Sequence, residues 1–385
     1  MLTDQQRDEL REYTRRLLSE TCPTDNIRDL PEKSRRDGGQ LWRTISELGW
    51  PGIHIPGAYG GAGGDPGDLF LVLHEIGRHL APTTLVSSSL LSAGALLACD
   101  SEELRAEMLP DLAVGERIAT AVVSDLQGGC AAPRLGVHWS PTPAGIRLDG
   151  AAGFVPDAEG ADLLVVAARD AAGSIALAVV DAAAAGVTVS GMKLRDRSRQ
   201  LATVAFDGVV VPESRLLTEP GTGHALQSHI VDLGALAMTA DALGGAERVM
   251  EETATYASQR EQFGRPIGAF QAVKHRCADM VLAVESTRAA VEDAATRVTD
   301  AGRGLRVATS IAASVGRDAC VQVCGDAVQV HGAVGFTWEH DLHLFLKRAR
   351  LDAALFGTPS WHRSRLATEV LPEVTEQATQ ASDVV

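Results

Sequence analysis

The sequence predicts an α+β protein with three successive parts: an N-terminal α-helical domain, a middle β-barrel or β-sheet domain, and a C-terminal four-helix bundle. Up to about residue 115, apolar residues recur at helical spacing. From about 118 to 216 the chain changes to short β-branched runs separated by Gly, Pro and Asp. Helical spacing then returns and holds to about residue 370. We therefore expect domains at 1–117, 118–217 and 218–385.

Each part rests on particular segments of the chain. The N-terminal helices are predicted by LWRTISELGW, LFLVLHEIGRHL and LSAGALLACDSEELRAEMLPDL. Six runs predict a compact antiparallel sheet or barrel: RIATAVVSD, GIRLDGAAGFV, ADLLVVAARD, SIALAVVD, GVTVSG and LATVAFDGVVV. Three long segments, which begin at GALAMTADALGG, FQAVKHRCADM and VATSIAASVGR, have the character of a four-helix bundle.

Composition excludes several classes of function. A formal net charge of -15 argues against nucleic-acid binding, which needs clustered Lys and Arg. No run of about 18 apolar residues is present, so no membrane-spanning helix is expected. The first residues form a charged amphipathic pattern rather than a signal peptide, which predicts a cytoplasmic protein. Six scattered cysteines predict no disulfide framework, and Cys320 and Cys324 are interpreted as core residues rather than metal ligands.

Several long motifs resemble one enzyme family. The segments YASQREQFGRPIGAFQAVKHRCADM (256–280) and QVHGAVGFTWEHDLHLFLKRAR (329–350) resemble the C-terminal signatures of the acyl-CoA dehydrogenases. ELGWPGIHIPGAYGGAG, EMLPDLAVGER and VAFDGVVVPESRLL resemble earlier parts of the same family in the same order. The resemblance implies FAD bound at a subunit interface, α,β-dehydrogenation of an acyl-CoA thioester by a catalytic carboxylate, and an electron-transferring flavoprotein as acceptor.

One side of the implied FAD site is well matched. There the resemblance implies that this chain contacts the FAD of a neighbouring subunit. Arginine suits the pyrophosphate because its planar fork matches phosphate oxygens. A surface ion pair for Arg260 and a core position for Phe263 are the structural alternatives. The implied contact residues are Arg260, Gln262, Phe263, Gln271, Gln329, Val330, His331, Gly332 and Ala333.

The side that would hold the chain's own flavin is poorly matched. Where the family has Thr-Glu-Pro and then Ala-Gly-Ser-Asp, this chain reads SDLQGGCA, with Ser124 in place of the threonine and Cys130 in place of a hydroxyl. The family's aromatic-Ile-Thr sequence appears as Phe154, Val155 and Pro156. Pro156 has neither a backbone N–H nor a hydroxyl, and Phe154 is interpreted either as a stacking ring or as core. Thr358 remains as an implied flavin contact on this side.

The catalytic base is absent from its family position. Phe356 stands where the resemblance implies a glutamate before Gly-Thr. The alternative family position for the base corresponds to Gly234, followed by Ala235. Asp241 lies seven residues further along the same helical segment, roughly 10 Å away. It is interpreted either as a buried base with a raised pKa or as a carboxylate that caps or pairs within the bundle.

These departures predict one subunit of an unequal assembly. The chain resembles the branch of the family that forms heterotetramers for steroid side-chain breakdown, in which one type of chain lacks the base. A paralogous acyl-CoA dehydrogenase subunit is then the expected partner. The alternatives are a self-sufficient homotetramer that uses Asp241 as base, and a flavin-free structural or regulatory partner.

Overall fold

The N-terminal part is helical, as predicted. A computed structural model describes residues 2–24, 27, 39–300 and 302–371. Helix α1 (Asp4–Thr21) begins at a capping box, in which Thr3 accepts from the Gln6 backbone N–H and the Gln6 side chain accepts from the Thr3 N–H. Further helical elements follow: α2 (Gly39–Glu47), α3 (Leu69–His79), a π-helix (Val86–Ala93) that continues into α4 (Gly94–Leu97), and α5 (Glu102–Ala113).

The middle part is one curled sheet of seven strands. Its strands are β1 (Ala119–Val122), β2 (Val137–Thr142), β3 (Gly145–Pro156), β4 (Leu163–Arg169), β5 (Ile175–Asp181), β6 (Val187–Gly191) and β7 (Leu201–Pro212). The strand order is β1-β4-β2-β3-β7-β6, with β5 paired to β4. Two sequence expectations were wrong here. The sheet is mixed, because β1 runs parallel to β4, and strand β2 was missed because its His, Ser and Pro residues lack a β-branched run.

The C-terminal part contains the long helices that the sequence predicts. They are α6 (His224–Gln259), α7 (Gln271–Ala295) and α8 (Arg303–His331). Two shorter helices follow them, α9 (Leu342–Asp352) and α10 (Pro359–Val370). A short hairpin of β8 (Glu261–Gln262) and β9 (Arg265–Pro266) separates α6 from α7. Cys320 and Cys324 are buried in the core of this bundle. In the described part of the chain, no helix has the length and apolarity needed to cross a membrane.

The proposed domain boundaries fall in connections between elements. The first lies between α5 and β1, and the second between β7 and α6. Apolar side chains from the helical parts and from one face of the sheet form a single large core, while a second cluster fills the other face of the sheet. The bundle therefore packs directly on the sheet, and the residues at that contact define the site described next.

Candidate functional site: a closed cleft and an exposed half-site

Phe356 fills the position where the resemblance implies a catalytic glutamate. It lies in the turn between α9 and α10, is only 5% exposed, and has a φ of 54°. A non-glycine residue in this left-handed region is strained and needs support from its surroundings. The ring packs over Gly234 of α6, where an added Cβ would lie only 2.5 Å from its Cδ1 atom. The two family positions for the base therefore face each other, and the phenyl ring occupies the space between them.

The turn that carries Phe356 packs against the sheet and closes what we call the cleft. The cavity that remains there has a volume of about 10 Å³. A single buried water needs roughly 10–15 Å³, so the three-ring system of a flavin does not fit. The cleft is lined by Ala121, Val123, Ser124, Gly128, Cys130, Phe154, Val155, Pro156, Leu355 and Phe356.

The polar groups that line the cleft bond within the chain itself. The Ser124 hydroxyl donates to the carbonyl of Gly153 at 2.7 Å. The Cys130 thiol lies beside the backbone of Phe356 and Gly357, and burial raises its pKa to about 12, so it is a neutral thiol. The sequence predicts that Ser124 contacts the chain's own flavin. In the structure, its hydroxyl hydrogen is already donated to a backbone carbonyl of the same chain.

Two other residues on this side have structural roles. Phe154 has a φ of 56°, and its ring lies 3.1 Å from where a Cβ on Gly128 would stand, so it packs on the loop that would face a pyrophosphate. Thr358 is the N-cap of α10 and accepts a hydrogen bond from the Trp361 backbone N–H at 3.2 Å. N-capping by a threonine satisfies one of the free N–H groups of a helix start.

The residues of the opposite side lie at the end of α6, in the β8–β9 hairpin, at the start of α7 and at the end of α8, and we call them the interface half-site (Arg260, Gln262, Phe263, Gln271 and Gln329–Ala333). The rings of Tyr256 and His331 stack with centroids 4.1 Å apart, which joins the end of α6 to the end of α8. This contact brings Arg260, the C-cap of α6, towards Gln329 and the turn at Gly332, where φ is 63°. The ends of α6 and α8, whose residues the family resemblance assigns to the same side of the FAD site, therefore lie in contact.

Arg260 and its neighbours face solvent. Arg260, Gln262, Gln271 and Gln329 are all exposed. Among the described residues, no carboxylate lies within ion-pair distance of Arg260, so the surface ion pair considered from sequence does not form within them. The His331 ring, by contrast, is buried, and its Nδ1 lies 2.8 Å from the Ala327 carbonyl.

Phe263 is the most exposed large apolar side chain among the described residues, at 92%. It lies at the tip of the β8–β9 hairpin with a φ of 54°, next to Gly264 at 77°. Its ring meets Phe270 edge-on at 6.0 Å, and the Arg265 guanidinium lies 4.2 Å from the centre of the Phe270 ring. The core interpretation of Phe263 is therefore wrong. The hairpin presents this ring outwards in a strained conformation.

Asp241 lies in a buried ion pair. Arg348 donates to both carboxylate oxygens, from Nε at 2.8 Å and from Nη2 at 2.9 Å, and Arg199 lies 3.4 Å away. Burial alone would raise the pKa of Asp241, but the two guanidiniums hold it well below the ordinary value. A carboxylate that abstracts a proton near neutral pH needs a raised pKa instead. The contacts favour the paired-carboxylate interpretation.

Sequence reasoning missed two residues behind the cleft, Arg317 and His362. Both are completely buried. Arg317 contacts the backbone on both sides of Phe356, and His362 contacts the Phe356 carbonyl. A guanidinium within the small-residue stretch ASVGRDAC was the available signal, because arginine is almost never fully buried without a defined set of acceptors.

Comparison with known proteins identifies the family. Residues 3–116 match the model of the acyl-CoA dehydrogenase N-terminal domain, and residues 221–371 match that of the acyl-CoA dehydrogenase C-terminal domain. The acyl-CoA dehydrogenase IpdE2 of Mycolicibacterium smegmatis is 31% identical over 95% of this chain and 99% of its own length. The chain belongs to the acyl-CoA dehydrogenase family.

Solved structures agree with this acyl-CoA dehydrogenase assignment. A chain of the ChsE4-ChsE5 complex from Mycobacterium tuberculosis matches with a TM-score of 0.86 and 28% identity, over 96% of this chain and 98% of that one. A variant of the Tcur3481-Tcur3483 steroid ACAD matches with a TM-score of 0.85 and 28% identity, over 96% and 99%. The butyryl-CoA dehydrogenase of Megasphaera elsdenii, at 23% identity and a TM-score of 0.88 over 96% and 99%, shares the fold. The predicted order of helices, sheet and helical bundle is thereby confirmed.

Proposed function

We propose that this chain is the base-lacking subunit of a hetero-oligomeric acyl-CoA dehydrogenase. It supplies the interface half of an FAD site, whose other half and catalytic base belong to a paralogous subunit. The observation that carries the proposal is the contrast between the two sides. The chain's own flavin cleft is reduced to about 10 Å³, whereas the interface half-site is exposed and carries groups suited to a phosphate and an aromatic base.

The residues of the interface half-site fit FAD, and those of the cleft do not. Arg260 offers a fork of N–H donors to pyrophosphate oxygens. Phe263 offers an exposed ring to adenine, and Gln262, Gln271 and Gln329 offer amide groups. When bound, FAD supplies the hydride acceptor for α,β-dehydrogenation of an acyl-CoA thioester. This chain's residues would bind and orient it, and the proton would be taken by the partner.

The proposed substrate is a steroid side-chain CoA ester, and the proposed acceptor is an electron-transferring flavoprotein. Support for the substrate comes from the similarity to the Tcur3481-Tcur3483 steroid ACAD, and the similarity to a chain of the ChsE4-ChsE5 complex supports an unequal pair of chains. The acceptor rests on the family resemblance alone. Two observations oppose the alternatives. Asp241 is held ionised by Arg348, which disfavours a homotetramer that uses it as base. A strained, exposed Phe263 beside Arg260 disfavours a flavin-free partner.

Co-expression with a paralogue that retains Glu-Gly-Thr tests the proposal. Arg260→Ala in this chain should lower the flavin content of the assembly and its acyl-CoA-dependent dye reduction together. Losing hydrogen bonds to a charged phosphate costs roughly 1.5–3 kcal/mol each, or about 10- to 100-fold in affinity. The control is Arg248→Ala on the same helix, whose guanidinium pairs with Glu252 at 2.5 Å. Equal flavin content in the two assemblies would contradict the proposed half-site.

A further inference from the structure

The turn at Leu355–Gly357 is held by hydrogen bonds from buried side chains to its three consecutive carbonyl groups. Arg317 Nη1 donates to the Leu355 carbonyl at 2.8 Å and to the Gly357 carbonyl at 2.7 Å. His362 Nε2 lies 3.1 Å from the Phe356 carbonyl. Because a carbonyl only accepts, this nitrogen carries the ring hydrogen, and Nδ1 accepts from the Ser310 hydroxyl at 3.2 Å. Side chains from α8 and α10 thus fix every carbonyl of the turn.

The same guanidinium reaches the helix opposite the Phe356 ring. Arg317 Nη2 donates to the Ala235 carbonyl at 2.6 Å, and Nε donates to the Thr239 hydroxyl at 3.0 Å. Ala235 directly follows Gly234, on which the ring packs. Arg317 therefore ties the turn to α6 at the point where the two family positions for the base face each other.

Arg317 forms no ion pair with the described residues. It is fully buried, and the described residues place no carboxylate within ion-pair distance of it. A buried cation that bonds only to neutral acceptors is tolerated only while those acceptors stay in place. Moving Leu355 and Gly357 away from the sheet would remove two of its four acceptors. Opening the cleft is therefore opposed by the loss of acceptors for a buried charge as well as by the loss of packing.

We propose that Arg317 and His362 form a latch that holds the Leu355–Gly357 turn against the sheet and thereby excludes flavin from this chain's own cleft. The inference rests on the proposed function and adds to it. Phe356 alone removes the base, whereas the latch makes the subunit unable to hold a second flavin. The latch residues are positioning residues and contact neither substrate nor cofactor.

The test uses the full chain purified without a partner. Arg317→Met keeps the length of the side chain and removes the fork, and Arg306→Met on the same helix is the matched control, since Arg306 pairs with Glu369 at 2.8 Å away from the cleft. Amide hydrogen exchange is followed at residues 354–358, and FAD is titrated by its fluorescence. We expect exchange in that segment and FAD affinity each to rise at least about tenfold in Arg317→Met and not in Arg306→Met.

Both changes are required. A folded Arg317→Met chain that matches the control in either readout overturns the latch. If Arg317→Met does not fold, Arg317→Lys, which keeps the charge without the fork, is measured against the same criteria. Failure of the proposed function gives a different result: a self-sufficient homotetramer would already hold about one FAD on each unaltered chain, and with a flavin-free partner Arg260→Ala would leave the flavin content of the co-expressed assembly unchanged.

Discussion

Two phenylalanines in left-handed backbone conformations mark the two sides of this molecule. Phe356 has a φ of 54° and is 5% exposed; Phe263 has the same φ and is 92% exposed. The first is held by buried side chains and fills a cleft, and the second stands at a hairpin tip with its face to solvent. Backbone strain of about 1–3 kcal/mol persists only where the surroundings or a function require it. The backbone conformation of Phe356 is held by buried side chains, whereas that of Phe263 follows from the two-residue β8–β9 turn, in which Phe263 and Gly264 both have positive φ. The turn fixes the backbone at Phe263 but leaves its ring without a buried contact surface.

Alanine at each phenylalanine should separate these roles most strongly. Phe356→Ala should lower the free energy of unfolding by about 3–5 kcal/mol, because it leaves a cavity in front of Gly234. Phe263→Ala should change it by no more than about 0.5 kcal/mol. Denaturant unfolding of the purified chain measures both. A comparable loss at the two positions would remove the distinction between a filled cleft and a presented surface.

Asp241→Asn tests whether the remaining candidate base is structural. The change leaves Arg348 buried beside a neutral amide, so we expect a loss of about 3 kcal/mol in the free energy of unfolding. Asp318→Asn is the control, since Asp318 pairs with Arg363 on the surface. A stable Asp241→Asn assembly that has lost only its dehydrogenation would instead identify Asp241 as the base.

Acid should loosen the turn at Leu355–Gly357. Burial, together with the charges of Arg317 and Arg365, lowers the pKa of His362 from 6.5 to about 3. The folded state then binds fewer protons than the unfolded state between these values. The stabilisation is complete above pH 6.5 and is lost as the pH falls towards about 3, by at most about 1.4 kcal/mol per pH unit.

The measurement is amide exchange at residues 354–358 at pH 7 and pH 5, corrected for intrinsic rates. His362→Gln, which keeps a donor for the Phe356 carbonyl, should show a smaller difference between the two values. An equal pH dependence in both chains would show that His362 does not control the turn.

Phe356→Glu should leave the isolated chain without dehydrogenase activity, which is the smallest of the expected effects. A carboxylate at this position would lie in a cleft of about 10 Å³, which is too small for a flavin ring, and its burial would cost stability. Dye reduction by the isolated variant with acyl-CoA and excess FAD measures the outcome, with Phe356→Leu as the apolar control. Clear turnover would mean that the cleft still accepts a flavin and that only the base was lost.

The sequence predicted the order of parts and the long helices because their apolar periodicity is strong. It misjudged the sheet, because strand direction depends on pairing between β1 and β4, which lie about 40 residues apart. It also predicted that Phe356 and Gly234 are inert. The ring of Phe356 fills the space in front of Gly234, and this contact depends on tertiary packing that the sequence does not show. Arg317 and His362 bond to backbone carbonyls. Because every residue has a backbone carbonyl, the sequence does not show which ones accept these bonds.

The most direct test of the account is the FAD content of the isolated chain compared with that of its assembly with a base-bearing paralogue. Flavin absorbance against protein concentration gives the ratio in both samples. We expect essentially no FAD on the isolated chain and one FAD for each pair of unlike chains, with that flavin lost on Arg260→Ala. One FAD on every copy of the isolated chain would contradict it.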